Sequence, residues 1–173
     1  MKNLSPRFYS ISALIFVAAL TRLLPHPPNF AAVAGISLFA GAQMTDKRWA
    51  FIVPILAMFF SDLFLAGGGL QEIPTFLCML IATTIGIFVG KNITIMNVIG
   101  GSLASSLIFY LITNLPFWYG DLGLYTNDFN GMMQSYTAAL PFFKNSLLGD
   151  LFYSSACFGV FYALEKRFPV LAR

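Results

Sequence analysis

The sequence predicts an all-α membrane protein of about six transmembrane helices, the second of them short, in a single integral domain over residues 1–173. Three observations predict it. First, 58% of the residues are hydrophobic and 10% are charged, whereas a soluble domain carries about 25% charged residues. The mean hydropathy is +0.77. So little charge cannot coat the water-facing surface of a globule this size. A cytosolic enzyme, a disordered chain and a free nucleic-acid-binding domain are set aside on that ground. Second, six apolar runs approach the length that crosses a hydrocarbon layer about 30 Å thick. Third, the basic residues fall on one side when those runs are threaded alternately.

The first run covers about 9–24. It follows Met-Lys-Asn-Leu-Ser-Pro-Arg like a signal peptide. No small-residue cleavage site follows, and the run ends at Arg22, so a retained first helix is expected. The second, about 30–43, is short for a span and is expected to be tilted, broken or partly re-entrant. The third covers 49–66, the fourth 74–89, the fifth 97–115 and the sixth 146–164. Small residues recur four apart: Ala82, Gly86 and Gly90; Gly101 with Ser105; Ser102 with Ser106; Ala31 with Gly35. This spacing lets helix backbones approach closely. Packing inside the bundle is the expected use, and a docking face for a partner helix is the alternative. Cys78 and Cys157 sit inside apolar runs without metal or redox spacing, as buried thiols do.

With the N-terminus in the cytoplasm, Lys2, Arg7, Lys47, Arg48, Lys91, Lys166, Arg167 and Arg173 fall inside. They are eight of the ten basic residues. Only Arg22 and Lys144 fall outside. Both termini are therefore expected in the cytoplasm. The inner loops, 44–48 and 90–96, are short. The outer connections, 22–30, 67–72 and 116–144, are richer. The last carries Trp118, Tyr119, Tyr125, Tyr136 and an Asn127, Asp128, Asn130, Gly131 cluster, and a connection of that length is expected to be functional.

Ionisable groups inside spans are costly and usually functional. Asp62 lies roughly 6–8 Å below the outer end of its span, and Asp150 about 9 Å below that surface when counted from Lys144. Arg22, His26, Asn29, Asn114, Trp118, Tyr136, Lys144 and Asn145 fall near the same level. These ten residues predict a polar, aromatic-lined cavity that opens outward and takes a small molecule. Apolar packing is expected to close it below, with no comparable polar group in the cytoplasmic half. The competing reading makes Arg22 with Asp62, and Lys144 with Asp150, structural ion pairs. Ser61, His26 and Asp62 can be assembled into a triad on paper, but no catalytic motif accompanies them, so no enzyme, metal or cofactor is expected. No nucleotide-binding motif is present, so energised transport would need a partner ATPase.

Four stretches are distinctive together: Arg22-Leu-Leu-Pro-His-Pro-Pro-Asn-Phe30 continuing to Ala42; Pro54-Ile-Leu-Ala-Met with Ser61-Asp62; Tyr110-Leu-Ile-Thr-Asn114 with Trp118; and Tyr136 to Asn145 followed by Gly149-Asp150. Over nearly its whole length the chain resembles an uncharacterised bacterial family of small six-helix membrane proteins, itself similar to the S components of energy-coupling factor (ECF) transporters. That resemblance implies an S-component-like bundle in the bacterial cytoplasmic membrane. It implies capture of a vitamin or similar micronutrient, and docking on a transmembrane coupling protein that carries ATPases. S components sharing a coupling module often have Ala-xxx-Ala in the first helix. Here Ala13 is followed by Val17 and Ala18 by Arg22, so the pattern is missing. The alternative function is a structural or assembly subunit of a larger membrane complex.

Overall fold

Four short polar side chains start helices in this chain. Ser5 accepts from the Phe8 N–H, Asp46 from Arg48, Thr94 from Asn97 and Asp128 from Gly131. Each satisfies an amide that the first turn of a helix leaves without a partner. The computed structural model describes residues 5–65, 72–116 and 124–172. Among them are six α-helices and no strand: α1 Pro6–Leu20, α2 Val33–Gln43, α3 Lys47–Asp62, α4 Glu72–Val89, α5 Ile95–Thr113 and α6 Phe129–Arg167. Single 3-10 turns follow α1 at Thr21–Leu23 and α6 at Pro169–Leu171. The fold is all-α, as expected. By length and composition two helices, α5 and α6, can cross a membrane; α2 and residues 73–89 are apolar but shorter.

One element differs sharply from the sequence reading. Residues 129–145, expected as the end of an outer loop, are helical and continuous with the sixth run, so α6 is 39 residues long. At 1.5 Å per residue it is about 58 Å long. Pro141 lies inside it, and a proline removes one amide from the helix ladder, which is why it reads as a break. Of the connections expected on the outer side, residues 67–71 and 117–123 lie outside the described residues.

The helices alternate in direction. The start of α1 meets the ends of α2 and α6 through Arg7, Gln43 and Glu165. The end of α1 meets the end of α3 through Arg22 and Asp62. Both described chain ends therefore lie at one end of the bundle, and the ends of α1, α3 and α5 and the starts of α2, α4 and α6 lie at the other.

α2 is the axis. All eleven of its residues are buried, the condition of a helix apolar all round. Its Phe39 packs edge-on against Phe158 and Phe161 of α6. Against α4 it packs backbone to backbone. A Cβ on Gly41 would strike the Thr83 carbonyl, one on Gly86 the Leu38 carbonyl, and one on Gly90 the Ala42 carbonyl. The small-residue spacing thus serves packing within the chain. Polar side chains turn inward, with Ser37, Ser61, Ser102, Ser106 and Ser154 all buried. Large apolar ones turn outward, among them Val17, Phe59, Phe88, Leu107 and Phe152. Cys78 and Cys157 are free and buried.

Candidate functional site

The site begins at the Pro-rich connection between α1 and α2. Pro27 accepts from the Phe30 N–H at 3.0 Å, and Asn29 has φ 61°. Proline followed by Asn in the left-handed region is what a type II turn needs. Asn145 of α6 donates from Nδ2 to the Pro28 carbonyl at 3.0 Å and so holds the turn against the bundle. Asn29 is thereby placed at the seam of a cavity with two adjoining lobes.

The outer lobe, about 250 Å³, is lined by Asn29, by Pro74 and Thr75 of α4, by Phe109, Tyr110, Thr113 and Asn114 from the end of α5, and by Phe142, Phe143 and Ser146 of α6. Tyr110 is fixed by its ring contact with Phe143, 4.6 Å between centroids, and by donating to the Tyr136 carbonyl at 2.7 Å. The inner lobe, about 200 Å³, shares Asn29, Thr75, Phe109 and Ser146 and adds Arg22, Ala34 and Asp150.

Arg22 and Asp62 form an ion pair at 2.6 Å, each side chain 16% exposed, and the same guanidinium nitrogen donates to Ser61 at 2.7 Å. The ion pair of the competing reading is thus present, and Arg22 also lines the inner lobe. The other proposed pair, Lys144 with Asp150, does not form. Asp150 accepts from the Ala34 and Gly35 amides, at 3.2 and 3.1 Å, and from the Ser106 hydroxyl at 2.7 Å. It is a carboxylate at the N-terminus of α2, where free amides and the helix dipole favour negative charge.

Of the ten sequence-predicted residues, Arg22, Asn29, Asn114 and Asp150 line the cavity. Asp62 reaches it through Arg22, and Asn145 through the turn it holds. Tyr136 instead clasps α6 to α5, donating to the Leu111 carbonyl at 2.6 Å. His26 is exposed and bonded to the Pro27 carbonyl, and Lys144 is exposed. Trp118 lies outside the described residues. α6 begins at Phe129, 21 residues before Asp150, so Lys144 does not mark the start of the helix from which the depth of Asp150 was counted. Thr75, Phe109, Tyr110, Thr113 and Ser146 were missed as cavity residues. The signal for two of them is helical spacing: Ser106, Tyr110 and Asn114 follow one stripe of α5, as Ser146 and Asp150 do of α6.

At the opposite end the expectation of an apolar closure is corrected. Arg7 is 5% exposed, lies 4.9 Å over the Phe161 ring, and pairs with Glu165, the Gln43 side chain and the Leu171 carbonyl. Beside it, between the start of α5 and the end of α6, runs a groove of about 660 Å³. That groove is lined mainly by apolar side chains such as Ile95, Val98 and Phe158, and Arg7 already engages its Gln43 and Glu165. The cavity at the α1–α2 end instead gathers polar groups from several segments, Arg22, Asn29, Thr75, Asn114 and Asp150 among them.

Compared with known proteins, residues 2–171 match a family described as Family of unknown function (DUF6580). No curated protein and no solved structure matches.

Proposed function

The chain belongs to that family of unknown function, which hands down no activity, and we propose that it is a membrane-embedded subunit for capturing a small micronutrient. In this reading it works as the S component of an ECF transporter does. It binds its substrate in the two-lobed cavity and relies on a partner carrying ATPases to move it. One observation carries the reading. Polar groups from separate segments converge on a cavity of ligand size: Arg22 after α1, Asn29 before α2, Thr75 of α4, Asn114 after α5, and Asp150 of α6. Such a concave, partly aromatic site with a few directed polar groups is the usual form of a small-molecule pocket.

Two further features support the membrane part. The outward-facing apolar side chains suit lipid contact. Arg7, Lys47, Arg48, Lys91, Lys166 and Arg167 all lie at the end away from the cavity. Basic residues favour the cytoplasm, so the cavity opens outward and both termini lie inside.

The test is a thermal-shift screen of the detergent-purified full chain against a vitamin and metabolite library, followed by capture of the tagged protein from its native membrane. A stabilising compound and a co-purifying ATPase are expected. If no compound stabilises the protein, the capture reading fails. If it co-purifies stably with an unrelated complex and no ATPase, it is an assembly subunit instead.

A further inference from the structure

The charges that reach the cavity do not balance. Arg22 is committed to Asp62, so that pair is neutral as a unit. Asp150, 4% exposed, lines the inner lobe, yet its three donors are two backbone amides and a hydroxyl. Among the described residues no Lys, Arg or His stands within 4 Å of it. A carboxylate offers about four acceptor positions, and three are taken here. The cation that lines the same lobe, Arg22, is already paired with Asp62, so the buried Asp150 carboxylate has no counter-cation of its own and is electrostatically incomplete. A cation entering the lobe would complete it, whereas an anion would be repelled.

The outer lobe supplies the other half of the description. Phe109, Tyr110, Phe142 and Phe143 line it, and Asn29 and Asn114 provide amides at its edge. Ring faces accept flat apolar bodies and attract cations. We propose that the ligand is a cationic amine with a planar aromatic or heteroaromatic body, its ammonium beside Asp150 and its ring among Phe109, Tyr110 and Phe143. This assignment rests on the capture reading and narrows it to one chemical class.

Calorimetric titration of the full chain in detergent with matched probes tests it. The probes are 2-phenylethylamine and tryptamine, their alcohols 2-phenylethanol and tryptophol, and their acids phenylacetate and indole-3-acetate. The amines are expected to bind about tenfold or more tightly than the alcohols, and the acids to bind least. Asp150→Asn, which keeps an oxygen for the two amides, is expected to erase the preference for the amines over the alcohols. Alcohols or acids that bind as well as the amines overturn the assignment, as does an amine preference that survives in Asp150→Asn. The wild-type ranking stands without the variant, should the variant not fold. Silence of all six probes while the metabolite screen yields neutral or acidic binders overturns the cationic class and leaves capture standing. Silence in both experiments removes capture itself.

Discussion

Asn29 takes a left-handed backbone conformation, φ 61°, and lines both lobes of the cavity. Glycine adopts that conformation with the least strain, and Asn is among the few other residues that visit it routinely. Asn29→Gly therefore removes one amide from the cavity wall while keeping the turn. Its stability is expected within about 1 kcal/mol of wild type, and a ligand found by the screen is expected to bind more weakly. Unchanged affinity would place the Asn29 side chain outside the site. Asp128 offers a second residue-scale test. The Gly131 amide and the Thr126 hydroxyl, both at 2.7 Å, hold its carboxyl below the usual carboxylate range. The charged cap is thus fully formed at neutral pH, and its contribution is lost as pH falls through that lowered value. Amide protection at Gly131 and Met132 is expected to drop in acid in the wild type. In Asp128→Asn, a cap that does not titrate, it is expected to stay flat. The same scale explains why one of the two candidate ion pairs forms and the other does not. Arg22 and Asp62 both stand at helix ends on one level, so their meeting needed only the right threading. Lys144 and Asp150 are six residues apart on one helix, a turn of about 240° at 3.6 residues per turn. They face different sides whatever their depth, and no count of depth along the axis reveals that.

At the scale of elements, α2 and α4 show how much rests on missing side chains. Gly41, Gly86 and Gly90 bring the two backbones into direct contact, and a Cβ on any of them meets a carbonyl of the opposite helix. Backbone cannot rotate away as a side chain can. Gly86→Ala is therefore expected to destabilise the fold by about 3 kcal/mol, the upper part of the usual range for overpacking. Gly100 of α5 has nothing within 4 Å of where a Cβ would stand. Gly100→Ala is expected to be neutral or to stabilise by up to about 1 kcal/mol through helix propensity. Thermal unfolding of the two variants in one detergent measures the contrast, and equal melting temperatures would show that α2 and α4 are not packed this closely. The four-residue spacing of Gly86 and Gly90 made this contact legible as a pattern, while its partner, Gly41, is recognisable only once α2 is in place. The first half of α6 was illegible for a different reason. Gln134, Ser135, Thr137 and Pro141 resemble loop composition, but Ser135 donates to the Asn114 carbonyl just past α5 and Tyr136 to the Leu111 carbonyl of α5. Contacts between helices, not local preference, keep that half helical.

At the scale of the whole molecule the two ends are unlike. One carries the open cavity. The other is tied by Arg7, whose guanidinium joins the start of α1 to the ends of α2 and α6 and to the turn after α6. In the sequence Arg7 is only one more basic residue, because its burial depends on the start of α1 meeting the ends of α2 and α6. A bundle tied at one end and open at the other suits a binding subunit only if the open end faces the compartment that supplies the ligand, and orientation can be tested without knowing the ligand. His26 is exposed at the cavity end, and Lys91 is exposed in the connection between α4 and α5 at the tied end. The native thiols, Cys78 and Cys157, are 3% and 4% exposed, so neither competes for a polar reagent. A membrane-impermeant maleimide is expected to label His26→Cys in intact cells, and Lys91→Cys only after the membrane is opened. Six described basic residues stand at the tied end against Arg22 and Lys144 toward the cavity end, and that asymmetry is what the expectation rests on. The reverse labelling pattern would turn the cavity toward the cytoplasm and end the uptake reading. Labelling of both positions in intact cells would mean that the chain does not sit across a membrane with its two ends in separate compartments.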